Sequence, residues 1–217
     1  METVIYCCVL LPVAAYSLGA VPFGLILCLV IKGVDIREHG SKNIGATNAG
    51  RVCGMPFFVA AFVLDFAKGL APVLLGGLML EEFGPGLPAA WMKILYGALA
   101  ILGHTFPVYL GFKGGKAVAT SFGVFVGLAP VAAGIAFGVW LLLLLALRYV
   151  SLASMIAAIV APVAYVILHR NELDGERWPV LCFTAVVAVL VVLRHRANIK
   201  RLVSGTESRV RFKKSAD

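Results

Sequence analysis

The chain has 217 residues, of which 61% are hydrophobic and only 14% charged, with a formal net charge of +8. So apolar a composition excludes an ordinary water-soluble domain and defines a multi-span bilayer protein. The cations lie at the ends of apolar runs, where cytoplasmic loops and anionic headgroups collect them, so the charge argues for a membrane surface and against a nucleic-acid partner.

In chain order, apolar segments run from about 4 to 31, 56 to 80, 89 to 110, 117 to 147, 150 to 168 and 178 to 193. Each is close to or above the roughly 20 residues that a helix needs to cross a bilayer. The first begins after Glu2 with no basic n-region, so it reads as a retained span and not as a cleaved signal peptide. The fourth is too long for one straight span and carries Pro130 near its middle. It is either one kinked span or a hairpin broken near Ala129-Pro130.

Charge parity favours the hairpin. With Lys32, Arg37, Lys42 and Arg51 on the cytoplasmic side, Glu81 and Glu82 fall outside and Lys113 and Lys116 inside. Only a hairpin then keeps Arg148 and the basic tail after Arg194 inside, with the loop from His169 to Arg177 outside. The expected fold is an all-α integral membrane protein of about seven transmembrane helices, N-terminus outside and C-terminus cytoplasmic, forming one domain over residues 1–217. Five cysteines (Cys7, Cys8, Cys28, Cys53, Cys182) show neither metal-ligand nor disulfide spacing and read as small buried hydrophobes.

That topology gathers three polar stretches on one face. In GSKNIGATNAGR (Gly40 to Arg51), glycines at 40, 45 and 50 permit positive φ, so successive N–H groups can cup a phosphate. Ser41, Asn43, Thr47 and Asn48 add neutral donors, and Arg51 adds a forked cation. The P-loop pattern fails, because Gly45-Ala46-Thr47 replaces Gly-Lys-Ser/Thr and no strand precedes it, which excludes ATP. In GHTFPVYLGFKGGKAVAT (from Gly103), Gly114-Gly115-Lys116 runs into a helix N-terminus, a second anion site. In RHRANIKRL (from Arg194), His195 and Asn198 share a helical face while the arginines read as headgroup anchors. His104 has an equal claim by residue type. Asp65 and Lys68, three apart in the second span, read as a structural ion pair.

The order of these stretches, with LDFAKG and RYVSLAS between and around them, resembles the bacterial acyl-phosphate-dependent glycerol-3-phosphate acyltransferases of the PlsY type over nearly the whole chain. The resemblance implies transfer of a fatty acyl group from acyl phosphate to the 1-hydroxyl of glycerol 3-phosphate, giving lysophosphatidic acid and phosphate at the inner face of a bacterial inner membrane. It implies that Ser41, Arg51, Lys116, His195 and Asn198 bind glycerol 3-phosphate, with Lys116, His195 and Asn198 catalytic. It assigns the acyl phosphate to the loop of Asn43, Gly45, Ala46, Thr47 and Asn48. Two departures stand out: Lys42 where glycine is common, and Ala117 where glycine is expected.

The residues accord with that chemistry. An acyl phosphate is already activated, so neither a covalent intermediate nor a cofactor nor a metal is needed, and positioning with charge stabilisation suffices. No protein partner is expected. Arg51, Lys116 and a protonatable His195 offset repulsion between two phosphates, and a substrate phosphate oxygen or His195 takes the hydroxyl proton. The sequence HRNELD, His169 to Asp174, matches the H-x4-D pattern of acyl-thioester acyltransferases but falls on the outer side by parity. The alternative to an enzyme is a transporter or channel for an organic phosphate, against which stands the clustering of polar motifs at one face.

Overall fold

The computed structural model describes residues 5–83, 89–171, 173, 175 and 177–210. Among these, all regular structure is helical. A π-helical turn, Tyr6–Leu10, leads into α1 (Leu11–Ala20), then α2 (Phe23–Lys32), α3 (Ala46–Cys53), α4 (Met55–Phe83), α5 (Ala89–Thr105), a 3-10 turn at Val108–Leu110, α6 (Val118–Leu128), α7 (Pro130–Leu147), α8 (Val150–Leu168), α9 (Arg177–Arg194) and α10 (Arg196–Val203). Five stretches are long and apolar enough to cross a membrane: Met55–Leu78, Ala89–Leu110, Pro130–Leu147, Val150–Leu168 and Arg177–Arg194. The bent pair of the first segment makes up to six. The protein is an integral membrane helical bundle.

The first segment differs from the single span expected, because it bends by 48° between α1 and α2. Pro22 has no N–H and forces Val21 into an extended conformation with ψ 118. The Val21 carbonyl leaves the helical ladder and accepts the Phe23 N–H at 3.1 Å, with a lone pair to spare at membrane depth, where polar backbone needs internal partners. Lys68 Nζ meets it at 2.7 Å and stands 2.7 Å from Asp65 Oδ1. The pair read as structural therefore caps a broken helix.

The long run is indeed interrupted at Ala129, φ −150 and ψ 68, since Pro130 cannot continue α6. Phe122 and Phe137, nearly equidistant from the break, stack with centroids 5.0 Å apart, so α6 and α7 run back along one another. α6 lies against α4 at Gly69 and Gly123, where a Cβ would strike the Thr120 carbonyl or that of Phe66. Glycine is required there because the backbones themselves touch. The main core draws Val73, Ile101, Val124, Ala133, Ala161 and Val191 from α4 to α9, while Leu142, Ile167 and Val186 remain exposed on the outer face, as lipid contact allows.

Of the cysteines, Cys7 and Cys28 are buried as expected, but Cys8 and Cys182 are exposed and Cys53 is intermediate, all five being free. The outer face of a span is apolar too, so sequence cannot tell lipid contact from core.

Candidate active site

The loop after α2 is built around one amide. Asn48, 1% exposed, donates from Nδ2 to the carbonyls of Ile36 at 2.8 Å, His39 at 3.1 Å and Asn43 at 2.9 Å. Its Oδ1 accepts the Ser41 N–H at 2.8 Å. Asn48 is thus the loop's scaffold, and its donors are committed to backbone and not free for a phosphate. The expected run of three positive-φ glycines also fails in part. Gly40 has φ 59, but Gly45 caps α3 with φ −81, and Gly50 lies within that helix, glycine because Phe58 packs on it.

What the loop presents is a helix N-terminus. The first bonds of α3 run from the N–H groups of Asn48 and Ala49 to the Gly45 carbonyl, which leaves those of Ala46 and Thr47 without a backbone acceptor among the described residues and open to an anion. Arg51 follows one turn later, exposed, with no hydrogen bond or ion pair among the described residues. Both departures from the family pattern occupy left-handed backbone: Lys42 has φ 56 and Ala117 φ 56. A glycine at either position would relieve that strain.

The second stretch is gripped from both sides. Gly115 N–H donates to the His104 carbonyl at 3.0 Å, and a Cβ at Gly115 would collide with the His104 ring. On the other side Arg194 donates to the Gly115 carbonyl from Nε at 3.2 Å and Nη2 at 2.9 Å, and to that of Gly114 from Nη2 at 3.0 Å. Its guanidinium lies 5.6 Å from the Phe106 ring centroid. Arg194 is therefore a strut and not the headgroup anchor expected; sequence shows the charge but not the carbonyls facing it. His104 Nδ1 is buried without a hydrogen-bond partner among the described residues, 3.7 Å from Asp65 Oδ1.

Lys116 Nζ bonds Asn198 Oδ1, and burial pushes its ammonium down to about 8. His195, between α9 and α10, binds the Val191 carbonyl through Nδ1 at 2.7 Å. Burial first, then the Lys116 charge, pushes it down to about 4, so at neutral pH it is uncharged, with Nδ1 carrying the hydrogen and Nε2 a lone pair. Of the two roles expected for His195, offsetting phosphate charge and taking the hydroxyl proton, the neutral ring suits the second.

Behind Asn198 stands a residue that sequence reasoning missed. Glu207 Oε1 accepts from Asn198 Nδ2 at 2.6 Å and Ser151 Oγ at 2.8 Å, and Oε2 from Arg201 Nε at 2.7 Å. These bonds outweigh burial and hold its carboxyl below the usual value. The tail is strapped down, with Val210 N–H on the Arg148 carbonyl at 2.8 Å and Arg209 Nε on the Tyr149 hydroxyl at 2.9 Å. An acid inside a run that otherwise reads as a basic tail was the only signal in the sequence.

One cavity of about 880 Å³ brings the three stretches together, lined by Ser41, Asn43, Gly45, Ala46, Thr47, Asn48, Arg51, Lys116, His195 and Asn198, and also by Asp65, His104, Ser151 and Glu207. It adjoins an apolar slot between α4, α6, α7 and α8, the two sharing Phe62, Val118, Trp140 and Ser154. Phe58, Phe62, Trp140 and Phe137 form an aromatic wall with successive centroids 6.0, 6.3 and 5.7 Å apart. Among the described residues, no three His, Cys, Asp or Glu side chains converge as a metal site. His169 closes α8 at the end opposite Ser151, about 27 Å away at 1.5 Å per residue, while its H-x4-D partner Asp174 lies outside the described residues.

Fold and cavity define an integral membrane protein with a polar, cation-bearing chamber that adjoins an apolar slot. A family model described as glycerol-3-phosphate acyltransferase matches residues 9–205. The glycerol-3-phosphate acyltransferase of Desulforudis audaxviator is 44% identical over 92% of this chain and 94% of its own, and that of Aquifex aeolicus 42% identical over 92% and 97%. The crystal structure of PlsY, an integral membrane glycerol 3-phosphate acyltransferase, is 40% identical in its glycerol 3-phosphate form, with a TM-score of 0.79 over 93% of this chain and 94% of that one. Its lysophosphatidic acid form superposes with a TM-score of 0.76. The chain belongs to the glycerol-3-phosphate acyltransferase family.

Proposed function

We propose that this protein transfers a fatty acyl group from acyl phosphate to the 1-hydroxyl of glycerol 3-phosphate, giving lysophosphatidic acid and inorganic phosphate. The observation that carries the reading is the adjacency of two cavities that share Phe62, Val118, Trp140 and Ser154: cations and free N–H groups in the polar one, an aromatic wall for an acyl chain beside the apolar one. Arg51 and Lys116 hold the glycerol phosphate with Ser41, Asn198 and His195. The N–H groups of Ala46 and Thr47 receive the phosphate of the donor. Neutral His195 Nε2 accepts a hydrogen bond from the glycerol hydroxyl and aims its oxygen at the acyl carbon. The new ester C–O bond forms as the acyl-to-phosphate C–O bond breaks, and the proton ends on the departing phosphate.

The site faces the cytoplasm in this reading. The loops, short helices and helix ends on the cavity side carry Lys32, Arg37, Lys42, Arg51, Lys113, Lys116, Arg148, Arg196, Lys200 and Arg209, the excess expected on the inner side. Counting α1 with α2 as one broken crossing and α6 as a short one gives seven crossings with the N-terminus outside. Single cysteines at 42, 148 and 208 in a cysteine-free background should be labelled from the same, inner side; an externally labelled position 208 overturns this topology.

Purified protein in detergent should form lysophosphatidic acid from glycerol 3-phosphate with palmitoyl phosphate, without added metal or nucleotide, and essentially none with palmitoyl-CoA. Comparable turnover with the thioester refutes the donor assignment. Failure with both, together with glycerol phosphate uptake into proteoliposomes, replaces the enzyme by a transporter.

A further inference from the structure

We propose that Arg194 is a positioning residue for the phosphate site: by holding two carbonyls behind the Gly114-Gly115 turn, it turns the peptide N–H of Lys116 into the cavity and so sets the affinity for the phosphate of glycerol 3-phosphate. The inference rests on the reading that Lys116 binds that phosphate.

A trans peptide points its C=O and its N–H in opposite directions, and among the described residues no peptide is cis. The Gly115 carbonyl is fixed on Nε and Nη2 of Arg194, so the N–H of the same peptide, which belongs to Lys116, points away from Arg194. Lys116 lines the cavity, and Arg194 stands behind the loop outside that lining. The Lys116 N–H has no acceptor among the described residues. It therefore projects beside its own ammonium as a second donor on the same anion. The preceding peptide is fixed as well: Arg194 holds its Gly114 carbonyl, and its Gly115 N–H is taken by the His104 carbonyl. Of the two peptides held by Arg194, that of Lys116 keeps its N–H for a ligand, beside the N-terminus of α6.

A guanidinium can hold the turn in this way where an ammonium cannot. Two of its nitrogens fork onto one carbonyl while one of them also reaches the neighbouring carbonyl, and its central carbon lies over the Phe106 ring. A lysine keeps the charge but not the fork.

The test compares Arg194→Lys and Arg194→Gln with wild type in detergent, with Lys116→Met as reference. Michaelis constants for both substrates and the thermal midpoint are measured. KM does not depend on how much of the preparation is folded, so a merely structural role lowers the yield of active enzyme and leaves both constants unchanged. The expected result is a KM for glycerol 3-phosphate raised by about tenfold or more, on the scale of a hydrogen bond to a charged group. The KM for palmitoyl phosphate should stay within about twofold, because its phosphate lies at the other helix N-terminus. If Lys116→Met raises the glycerol phosphate KM but neither Arg194 variant does, Arg194 has no positioning role and the site itself stands. If Lys116→Met also leaves that KM unchanged, the phosphate assignment falls, and the role of Arg194 with it.

Discussion

Glu207→Ala should destabilise the protein and disable its site together. The carboxylate, 9% exposed, accepts bonds of 2.8, 2.6 and 2.7 Å from Ser151, Asn198 and Arg201. Removing the acceptor strands three donors, and breaking a buried charged pair costs about 3–5 kcal/mol. Arg201 is 38% exposed along its side chain and recovers water, which places the expected loss near the low end, about 3 kcal/mol. In a chain of this size that lowers the thermal midpoint by roughly 6–12 °C. Asn198, freed from Glu207, no longer fixes the Lys116 ammonium, and kcat/KM should fall about tenfold or more. Thermal unfolding in detergent and initial rates with palmitoyl phosphate measure the two effects. A pH series supplies the sign. The folded carboxyl lies below its ordinary value of 4.5, so its contribution is complete above 4.5 and is lost as pH falls through the lower folded value. The advantage of wild type over Glu207→Gln should be constant near neutrality and shrink below about 4.5. A midpoint within about 2 °C of wild type with unchanged kinetics in Glu207→Ala would refute the view that this acid organises the site.

Further expectations concern single groups. Arg51→Lys keeps the charge and loses the fork, so it should cost about 2 kcal/mol in kcat/KM; wild-type kinetics would remove Arg51 from the site. Because the Lys116 ammonium lies at about 8, kcat/KM for glycerol 3-phosphate should fall as pH rises through that value and the cation is lost; a flat profile well into the alkaline range contradicts its role. Lys42→Gly removes an exposed side chain from left-handed backbone and should stabilise by about 0.5–1 kcal/mol, seen as a raised unfolding midpoint; a lowered one means that the Lys42 side chain contributes a contact.

The sequence by itself determined the membrane class, the apolar segments, the break at Ala129-Pro130 and the three polar stretches that share a cavity. Each of these is a local property: hydropathy over a window, a proline without an N–H, a glycine cluster beside a cation. Tertiary structure decided what each polar group faces. Asn48 and Arg194 read as ligand and anchor in one dimension, yet their partners are carbonyls brought near by folding, Ile36 and His39 for the first and Gly114 and Gly115, some 80 residues back, for the second. Lys68, legible in sequence as the partner of Asp65, gains a second partner in the Val21 carbonyl at the bend before Pro22, and burial that no window can show holds His195 neutral. Glu207 entered the site because the tail folds back beneath α8. Composition and spacing say which groups exist, while hydrogen-bond partnership and dehydration, which set what those groups can do, depend on contacts remote in sequence.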